Sequence, residues 1–234
     1  MSSASTPRSP ATATRGRPPK LDRARTVEAA LALLDEVGLD ALTMRRLAEA
    51  MDVRAGALYR YFATKQELLT AMAEALLADC LNRPLSSPDW SERLAELARR
   101  MRTALLGRRD GARVYAGTHS TGSHTLGFAD TLVGVLREAG FTAGDAARAA
   151  LTLVHFTIGH TLEEQAAGQV TGDGPADPDR LHAAVTPERH PHLAAALPVF
   201  ASTDFTAHFE FGLALLIEGL RATGPGTTPS GSGG

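Results

Sequence analysis

Residues 42–72 read LTMRRLAEAMDVRAGALYRYFATKQELLTAM, and this stretch decides the fold. Apolar residues recur at helical spacing behind Thr43, which predicts a short helix with a threonine N-cap. A turn at Asp52 and Val53 leads to a second short helix, predicted over residues 55–61. Two short helices joined by a tight turn are typical of a helix-turn-helix, whose second helix fits the major groove of DNA.

The helices on either side complete a small helical head. Apolar residues recur at spacings of three and four over residues 27–37, so a helix is predicted between Asp22 and Gly38. On the other side, Thr64 and Glu67 form a capping box, T-K-Q-E, that opens a long fourth helix. The head therefore consists of three helices, and the fourth leads out of it.

The rest of the chain has the same helical pattern. Further helices are predicted over residues 90–106, 110–116, 123–139, 142–167, 192–201 and 204–220, with a loop holding at most a short turn at 168–191. Aromatic residues are only 5% of the chain, and abundant alanine favours helices over strands. The predicted fold class is all-α, with an N-terminal three-helix helix-turn-helix head on a larger helical body.

Four segments are predicted along the chain. Residues 1–20 form a basic arm rich in Ser, Thr and Pro that is expected to be disordered. Residues 21–68 form the helix-turn-helix domain and residues 69–222 the body. Residues 223–234, TGPGTTPSGSGG, are expected to be a flexible tail.

Composition excludes several classes of protein. No run of about 18 apolar residues exists, so no membrane span is expected. The first residues lack the apolar core of a secretory signal. The single cysteine, Cys80, forms no internal disulfide and no cysteine-based zinc site. These features are typical of a cytoplasmic protein.

The net charge of −2 conceals an asymmetry between the two parts of the chain. Residues 1–65 carry eleven basic and seven acidic side chains, so this part has a net charge of +4 and the remainder −6. A basic head on an acidic body is typical of a protein whose head faces a polyanion, although charge alone also fits a random fluctuation.

The predicted second helix of the motif begins with unusually small side chains. Ala55, Gly56 and Ala57 follow one another, and glycine inside a helix costs about 1 kcal/mol relative to alanine. Close approach of the helix to base edges, with the Ala55 methyl against a thymine methyl, would compensate this cost. The alternative is that Gly56 lies in a frayed first turn.

Three short motifs follow one another in residues 42–72 and resemble the DNA-binding domain of the tetracycline-repressor (TetR) family. They are L-T-x-R-x-L-A, V-x-x-x-x-L-Y-x-Y-F and K-x-E-L-L. Three stretches of the body are similar to the tetracycline-repressor subgroup itself. They are ALLGRRDGARVYAGT, HFTIGHTLEEQ and the sequence around Gly140 and Phe141. The resemblance covers roughly residues 22–222. It implies a DNA-binding head and an effector-binding, dimerising body.

The resemblance also assigns roles to residues of the head. Thr43 is expected to contact a phosphate and Arg45 to reach a guanine edge, carrying more specificity than usual because the neighbouring readers are small. The third-helix reading positions are Arg54, Ala55, Gly56 and Ala57. Tyr59, Tyr61 and Lys65 match positions that contact the DNA backbone. Arg54 and Arg60 are expected to assist, or else to be solvated surface charges.

The arm carries a second DNA-binding signal. R-G-R-P at residues 15–18 resembles an AT-hook core, in which Arg15 and Arg17 enter the narrow minor groove of A·T-rich DNA. The alternative is a generic basic tail that improves solubility.

An enzyme is not expected. His160 and Glu164 lie one helical turn apart and could share a metal, but a catalytic zinc site usually requires three protein ligands and no H-E-x-x-H is present. No G-x-S-x-G, P-loop or G-x-G-x-x-G motif occurs either. We therefore expect no metal and no cofactor, with His155 either a buried core histidine or a polar point of a binding pocket.

The resemblance implies an altered effector site. Tetracycline repressors hold a Mg²⁺–drug chelate with a histidine at the position of Tyr115, a pocket histidine near Cys80 or Leu81, and a pocket asparagine near Leu97. Glu163 matches an acid that assists the metal from the partner subunit. Since the direct ligand is missing, we expect a hydrophobic, oxygenated, polyketide-like effector in place of the chelate. The expected effector-binding residues are Leu97, Met101, Tyr115, Thr118, His119, Thr131, His155 and Glu163.

Dimerisation is expected because one helix-turn-helix contacts too little DNA for useful specificity. The predicted helices at 142–167 and 204–220 carry apolar faces that could form a four-helix interface, or else belong to the core of one subunit. These faces comprise Ala146, Ala150, Leu153 and Val154 on one helix, and Phe205, Phe209, Leu213, Leu216 and Ile217 on the other. The predicted function is a homodimeric repressor of a palindromic double-stranded operator. The alternatives are an activator of the same fold and a ligand-binding protein without a DNA role.

Overall fold

The computed structural model describes residues 21–168 and 178–224. Within these ranges the chain forms eleven helices and no strand, which confirms the all-α prediction. Arg15, Arg17 and most of the predicted tail lie outside the described residues. The helices are α1 Arg23–Val37, α2 Met44–Ala50, α3 Ala55–Leu58, α4 Lys65–Leu76, α5 Trp90–Leu106, α6 Gly111–Ala116, α7 Ser123–Glu138, α8 Ala143–Gly168, α9 Pro178–Ala184, α10 Pro191–Phe200 and α11 Phe205–Thr223.

The helix starts of the head follow the capping chemistry of the sequence. The Asp22 carboxylate accepts the Arg25 N–H at 2.9 Å and so begins α1. The Thr64 hydroxyl accepts the Glu67 N–H at 3.1 Å, while the Glu67 carboxylate accepts the Ala63 N–H at 2.8 Å. This exchange satisfies amides that the first turn of α4 would otherwise leave unpaired.

The turn between α2 and α3 is tight. Asp52 has φ of +52°, a left-handed conformation that aspartate tolerates better than most residues. The Val53 N–H donates to the Ala48 carbonyl at 2.9 Å and closes the turn. This geometry fixes the direction in which α3 leaves the head.

Helix α3 is shorter than the sequence predicts. It ends at Leu58, whereas the predicted end is residue 61. Leu58 and Phe62 are both fully buried, and the chain between them winds as a turn that brings both inward. The Arg23 guanidinium lies 4.3 Å from the Phe62 ring centroid and donates to the Tyr61 carbonyl at 2.8 Å. These contacts hold the turn after α3 against the start of α1.

The body is arranged around α5, which packs against α6, α7, α8 and α11. Two arginines of α5 hold the outer helices. Arg102 donates to Glu164 of α8 at 2.7 Å, and Arg99 donates to Glu210 of α11 at 2.6 Å. Helix α4 packs against α1 as well as α6 and α7, so it is shared between head and body.

The apolar faces that the sequence offers for dimerisation belong largely to the core of one subunit. Ala146, Ala150 and Leu153 of α8, and Phe209, Leu213 and Ile217 of α11, are buried. Different residues are exposed on these helices. Leu151 is 57% exposed, Phe211 69% and Leu215 61%. The period-3.6 pattern thus finds the helices, and of its two interpretations of these faces the core of one subunit is the one found for the six buried residues.

Helix α9 lies within the region 168–191 that the sequence predicts to be a loop, and α10 begins at the end of that region. Helix α9 is a regular helix where at most a short turn is predicted. Helix α10 has no buried residue, and its Val199 and Phe200 are both more than 60% exposed. Among the helices of the described ranges, none combines the length and apolar character needed to cross a bilayer.

Candidate DNA-binding surface and effector site

The outer face of α2 and α3 presents the residues expected to contact DNA. Leu47 of α2 and Leu58 of α3 are fully buried and anchor the two helices in the core of the head. The opposite side exposes Arg54, Gly56 and Arg60, and Tyr59 is 52% exposed. Ala55 and Ala57 are half-buried at the edge of this face. The motif thus separates a packing side from a solvent side, as a groove-reading helix requires.

Arg45 and Thr43 open this surface on α2. Arg45 is highly exposed, and its Nε lies 3.4 Å from the Glu49 carboxylate one turn further along. Such an exposed pair contributes little to stability, so the guanidinium can exchange it for a base edge. The Thr43 hydroxyl accepts the Arg46 N–H at 3.2 Å, which leaves its hydrogen to donate to a phosphate.

Within residues 21–168 and 178–224, no contact requires glycine at position 56. A Cβ added there would meet no atom within 4 Å, because the position faces open space in the short helix α3. Packing within the protein therefore does not explain this residue. Gly56 lies in the first turn of the four-residue helix α3, so close approach of DNA and an unconstrained first-turn position both stay predictions for it.

Two of the residues expected to contact the DNA backbone are engaged within the head. The Tyr61 hydroxyl donates to the Leu21 carbonyl at 2.7 Å. The Lys65 ammonium donates to the Leu39 carbonyl at 3.4 Å. Tyr61 thus joins the start of α1 to the turn after α3.

A hydrogen-bonded clasp joins the body to the head. Asp110, at the start of α6, is only 2% exposed and has φ of +56°. Its carboxylate accepts the Leu39 N–H at 2.8 Å and the Arg113 guanidinium at 3.1 Å. Arg113 also forms a two-bond pair with Asp40, which lowers the pKa of that carboxyl through hydrogen bonding and charge. The α1–α2 turn is therefore fastened to the start of α6.

The connection between α5 and α6 is held by α8 of the body. The Gln165 side-chain carbonyl accepts the Ala112 N–H at 3.0 Å, and its amide donates to the Arg108 carbonyl at 2.8 Å. The Arg108 guanidinium reaches Asp35 of α1 at 2.6 Å. Helix α8 is thereby connected through one loop to the end of α1.

Tyr115 lies in apolar surroundings at the end of α6. It is half-buried, and burial raises the pKa of its phenol, with further contributions from Cys80 and Glu74. Burial also raises the pKa of the Cys80 thiol to about 11. Both groups are therefore neutral near pH 7. Leu97 and Met101 of α5 are buried in the core of the body.

The structure does not bring the eight expected effector-binding side chains into one described cleft. The hydroxyls of Thr118 and Thr131 bond to carbonyls of their own segments at 3.0 and 2.8 Å. His119, His155 and Glu163 are exposed in the single chain. His155 is therefore no core histidine. The role of these residues in effector binding stays a prediction. They could form an enclosed site only with a second subunit or after a rearrangement of the helices.

Clefts open elsewhere in the described part of the chain. One of about 760 Å³ lies between α1, α4 and the α6–α7 loop, and Leu31, Ala71 and Glu74 line it. Another of about 480 Å³ lies between α4 and α5 and is lined by Cys80 and Arg100. Both adjoin α4, the helix that leads out of the head.

Tyr115 occupies the position where the resemblance implies a metal-binding histidine, so a Mg²⁺ chelate would lack that ligand. Within residues 21–168 and 178–224, no three His, Cys, Asp or Glu side chains converge as a metal site would need. His160 Nε2 lies 2.9 Å from the Phe205 carbonyl, and burial lowers the pKa of this imidazole. Tyr115 offers a neutral phenol, which is a poor ligand for Mg²⁺.

Sequence reasoning missed several residues that organise the site. Asp110, Arg113 and Gln165 build the clasp, and Glu74 connects α4 to α7. The stretch RRDGARV entered the sequence analysis only as part of the family resemblance, with no role given to Asp110 or Arg113. An acid on a helix surface gives no sequence signal for a contact with another helix, so Glu74 could not be singled out.

Two family profiles match most of the chain. Residues 27–72 match the profile described as bacterial regulatory proteins, tetR family. Residues 83–223 match the one described as tetracyclin repressor-like, C-terminal domain. The two matches correspond to the helix-turn-helix head and the helical body.

Known proteins are similar over nearly the whole chain. The tetracycline repressor protein class A from transposon 1721 of Escherichia coli is 42% identical over 203 residues, covering 86% of this chain and 91% of that protein. A possible TetR family transcriptional regulator from Streptomyces coelicolor A3(2) is 65% identical with a TM-score of 0.81, covering 86% and 100% of the two chains. The Streptomyces coelicolor protein ActR, solved in complex with (S)-DNPA, is 28% identical with a TM-score of 0.77, covering 88% and 99%. The chain therefore belongs to the TetR family of transcriptional regulators, repressors that bind operator DNA and are released by ligand.

Proposed function

We propose that this protein is a homodimeric, cytoplasmic and non-enzymatic repressor of a palindromic operator. The observation that carries the proposal is the exposed face of α2 and α3, which presents Arg45, Arg54 and Tyr59 together with Gly56, where an added Cβ would meet no atom of the described residues within 4 Å. Two such faces related by dimer symmetry would read two half-sites. The exposed apolar residues of α8 and α11 supply a self-complementary surface for this dimer.

The proposed effector is a flat, hydrophobic and oxygenated molecule of the aromatic polyketide type. Tyr115 and Cys80 are neutral in an apolar environment, which suits such a ligand better than an ion. The similarity to ActR, which is solved in complex with (S)-DNPA, supports a small-molecule effector. The effector releases DNA by binding more tightly to a state in which the two heads are wrongly spaced.

The arm before α1 is proposed to add a minor-groove contact through Arg15 and Arg17. The Tyr61 hydroxyl holds Leu21 beside the turn that follows α3. Leu21, which precedes the N-cap Asp22 of α1, is thereby fixed next to the reading helix. This position favours entry of the arm into the adjacent minor groove.

Arg45→Ala tests the DNA-binding surface. We expect operator affinity to fall by about 1–3 kcal/mol and preference at one base pair per half-site to relax, because a guanidinium bonded to a guanine edge is lost. Fluorescence anisotropy with a set of operator variants measures both effects. The matched control is Arg148→Ala on α8, another exposed arginine paired with a carboxylate of its own helix. An unchanged binding profile for Arg45→Ala would remove this residue from the reading surface.

Removal of Mg²⁺ tests the effector class. Because Tyr115 is neutral and no converging donor set is found in the described residues, we expect release from the operator to be the same with and without EDTA. Release by a panel of aromatic polyketides is compared under both conditions. Loss of release in EDTA would restore a metal chelate as the effector.

A further inference from the structure

The start of α1 and the turn after α3 hold each other through two hydrogen bonds. The Tyr61 hydroxyl donates to the Leu21 carbonyl at 2.7 Å, and the Arg23 guanidinium donates to the Tyr61 carbonyl at 2.8 Å. The guanidinium carbon also lies 4.3 Å from the centroid of the Phe62 ring, which is fully buried. The charged end of Arg23 is therefore held in place by a carbonyl and an aromatic ring of the same turn.

The hydrogen of the Tyr61 hydroxyl is already in use inside the head. A phenol has one hydrogen to donate, and that hydrogen is bonded to the Leu21 carbonyl. A DNA phosphate carries a negative charge and only accepts hydrogen bonds. Contact between Tyr61 and a phosphate would therefore break the bond to Leu21. The sequence expects this tyrosine to contact the DNA backbone, but the structure gives its donor another partner.

Arg23 has the donors that Tyr61 lacks. A guanidinium carries five N–H groups in a planar fork, and one of them bonds to the Tyr61 carbonyl. Within residues 21–168 and 178–224, the rest of the Arg23 fork makes no hydrogen bond and no ion pair, and the residue is exposed. Such a fork matches the oxygens of a phosphate with two parallel bonds.

The Arg23 guanidinium lies at the end of the reading helix. Its partner, Tyr61, comes directly after Tyr59 and Arg60, which are exposed and follow α3. A helix in the major groove has a phosphate backbone on each side, so residues just beyond its end lie close to a backbone. The start of α1 is thereby placed where a phosphate passes the head.

We propose that Arg23 binds a DNA phosphate at the end of α3, and that Tyr61 is a positioning residue that holds the start of α1 for this contact. The inference deepens the proposed function and rests on it. Holding the guanidinium in advance reduces the side-chain freedom that is lost when DNA binds. A phosphate carries no base identity, so the contact adds affinity for every sequence.

The salt dependence of DNA binding is the first test. The full chain first selects an operator from random-sequence duplexes, and fluorescence anisotropy then measures its affinity over a series of KCl concentrations. We expect Arg23→Ala to weaken binding at least about tenfold, because a charge-assisted hydrogen bond is lost. The slope of log K against log salt should fall by about 1.8, since each head of the dimer loses one phosphate contact.

Arg25 on the same helix is the matched control. It is exposed and lies two residues further along α1, so its side chain leaves the helix on nearly the opposite side from that of Arg23. Arg25→Ala removes the same charge from the head and should change affinity and salt slope little. Arg23→Lys keeps the charge without the planar fork, so it should keep the slope of wild type and bind less tightly.

A methylphosphonate scan identifies the contacted phosphate. Each duplex carries one methylphosphonate per half-site, which removes the charge of a single phosphate. Wild type should lose affinity at one position where Arg23→Ala loses nothing further. Tyr61→Phe should remain sensitive at this position, because its hydroxyl does not contact the phosphate. Far-UV circular dichroism checks that each variant is folded, and Arg23→Gln replaces Arg23→Ala if the alanine variant loses helix content.

The outcomes separate this inference from the proposed function. If wild type selects no duplex, or binds DNA without salt dependence, the proposed function fails and this inference fails with it. If wild type binds as expected but Arg23→Ala behaves like Arg25→Ala, only this inference is overturned. It is also overturned if Tyr61→Phe loses the sensitivity at that position while Arg23→Ala keeps it. A lower salt slope together with insensitivity at one phosphate supports it, since a merely structural role would not act at a single phosphate.

Discussion

Phe211→Asp is expected to dissociate the dimer and abolish operator binding at micromolar protein. Phe211 is the most exposed large apolar residue of the described chain, and it lies on α11 near Leu215. Leaving a carboxylate buried without a partner costs about 3–5 kcal/mol, and two-fold symmetry places the change on both sides of the interface. A monomer contacts only one half-site, so we expect operator affinity to fall at least about 100-fold.

Sedimentation velocity and operator-binding anisotropy measure these effects, and far-UV circular dichroism confirms that the helices are retained. Phe211→Leu keeps an apolar surface and should remain dimeric. A dimer of Phe211→Asp that binds the operator like wild type would show that the interface lies elsewhere.

Asp110→Ala is expected to destabilise the protein and to loosen the head. The buried carboxylate is the acceptor for the Leu39 N–H and one of two partners of Arg113. Leaving a buried donor without its partner costs about 1–3 kcal/mol. The left-handed φ of +56° adds about 1 kcal/mol, because alanine tolerates this conformation less well than aspartate. We therefore expect the free energy of unfolding to fall by about 2–4 kcal/mol.

Urea denaturation of the dimer at fixed protein concentration measures this loss. The matched control is Asp40→Ala, which removes the other partner of Arg113 from an exposed position and should change stability little. Asp110→Asn keeps a hydrogen-bond acceptor, and asparagine tolerates the left-handed backbone conformation. Its free energy of unfolding should therefore lie between those of Asp110→Ala and Asp40→Ala. Equal stability of Asp110→Ala and wild type would mean that the clasp does not hold the head.

The head could be predicted from the sequence because its signals are local. The Asp22, Thr43 and Thr64 caps act within one helical turn, and each begins the helix that its sequence predicts. The helix-turn-helix and its solvent face follow from this spacing together with the family resemblance. The end of α3 was misplaced because Phe62 is drawn into a core formed with α1, a contact between residues far apart in the chain.

The sequence by itself thus determined the fold class, the family and which side of the helix-turn-helix faces solvent. Only the tertiary structure decided which stripe of α8 and α11 faces outward, since a 3.6-residue period marks an apolar face without naming its partner. It also decided the roles of Glu74 and Asp110, whose partners are 46–51 and 71 residues away along the chain. A carboxylate acquires such a role when folding removes it from water beside several donors, and no local sequence pattern records that event.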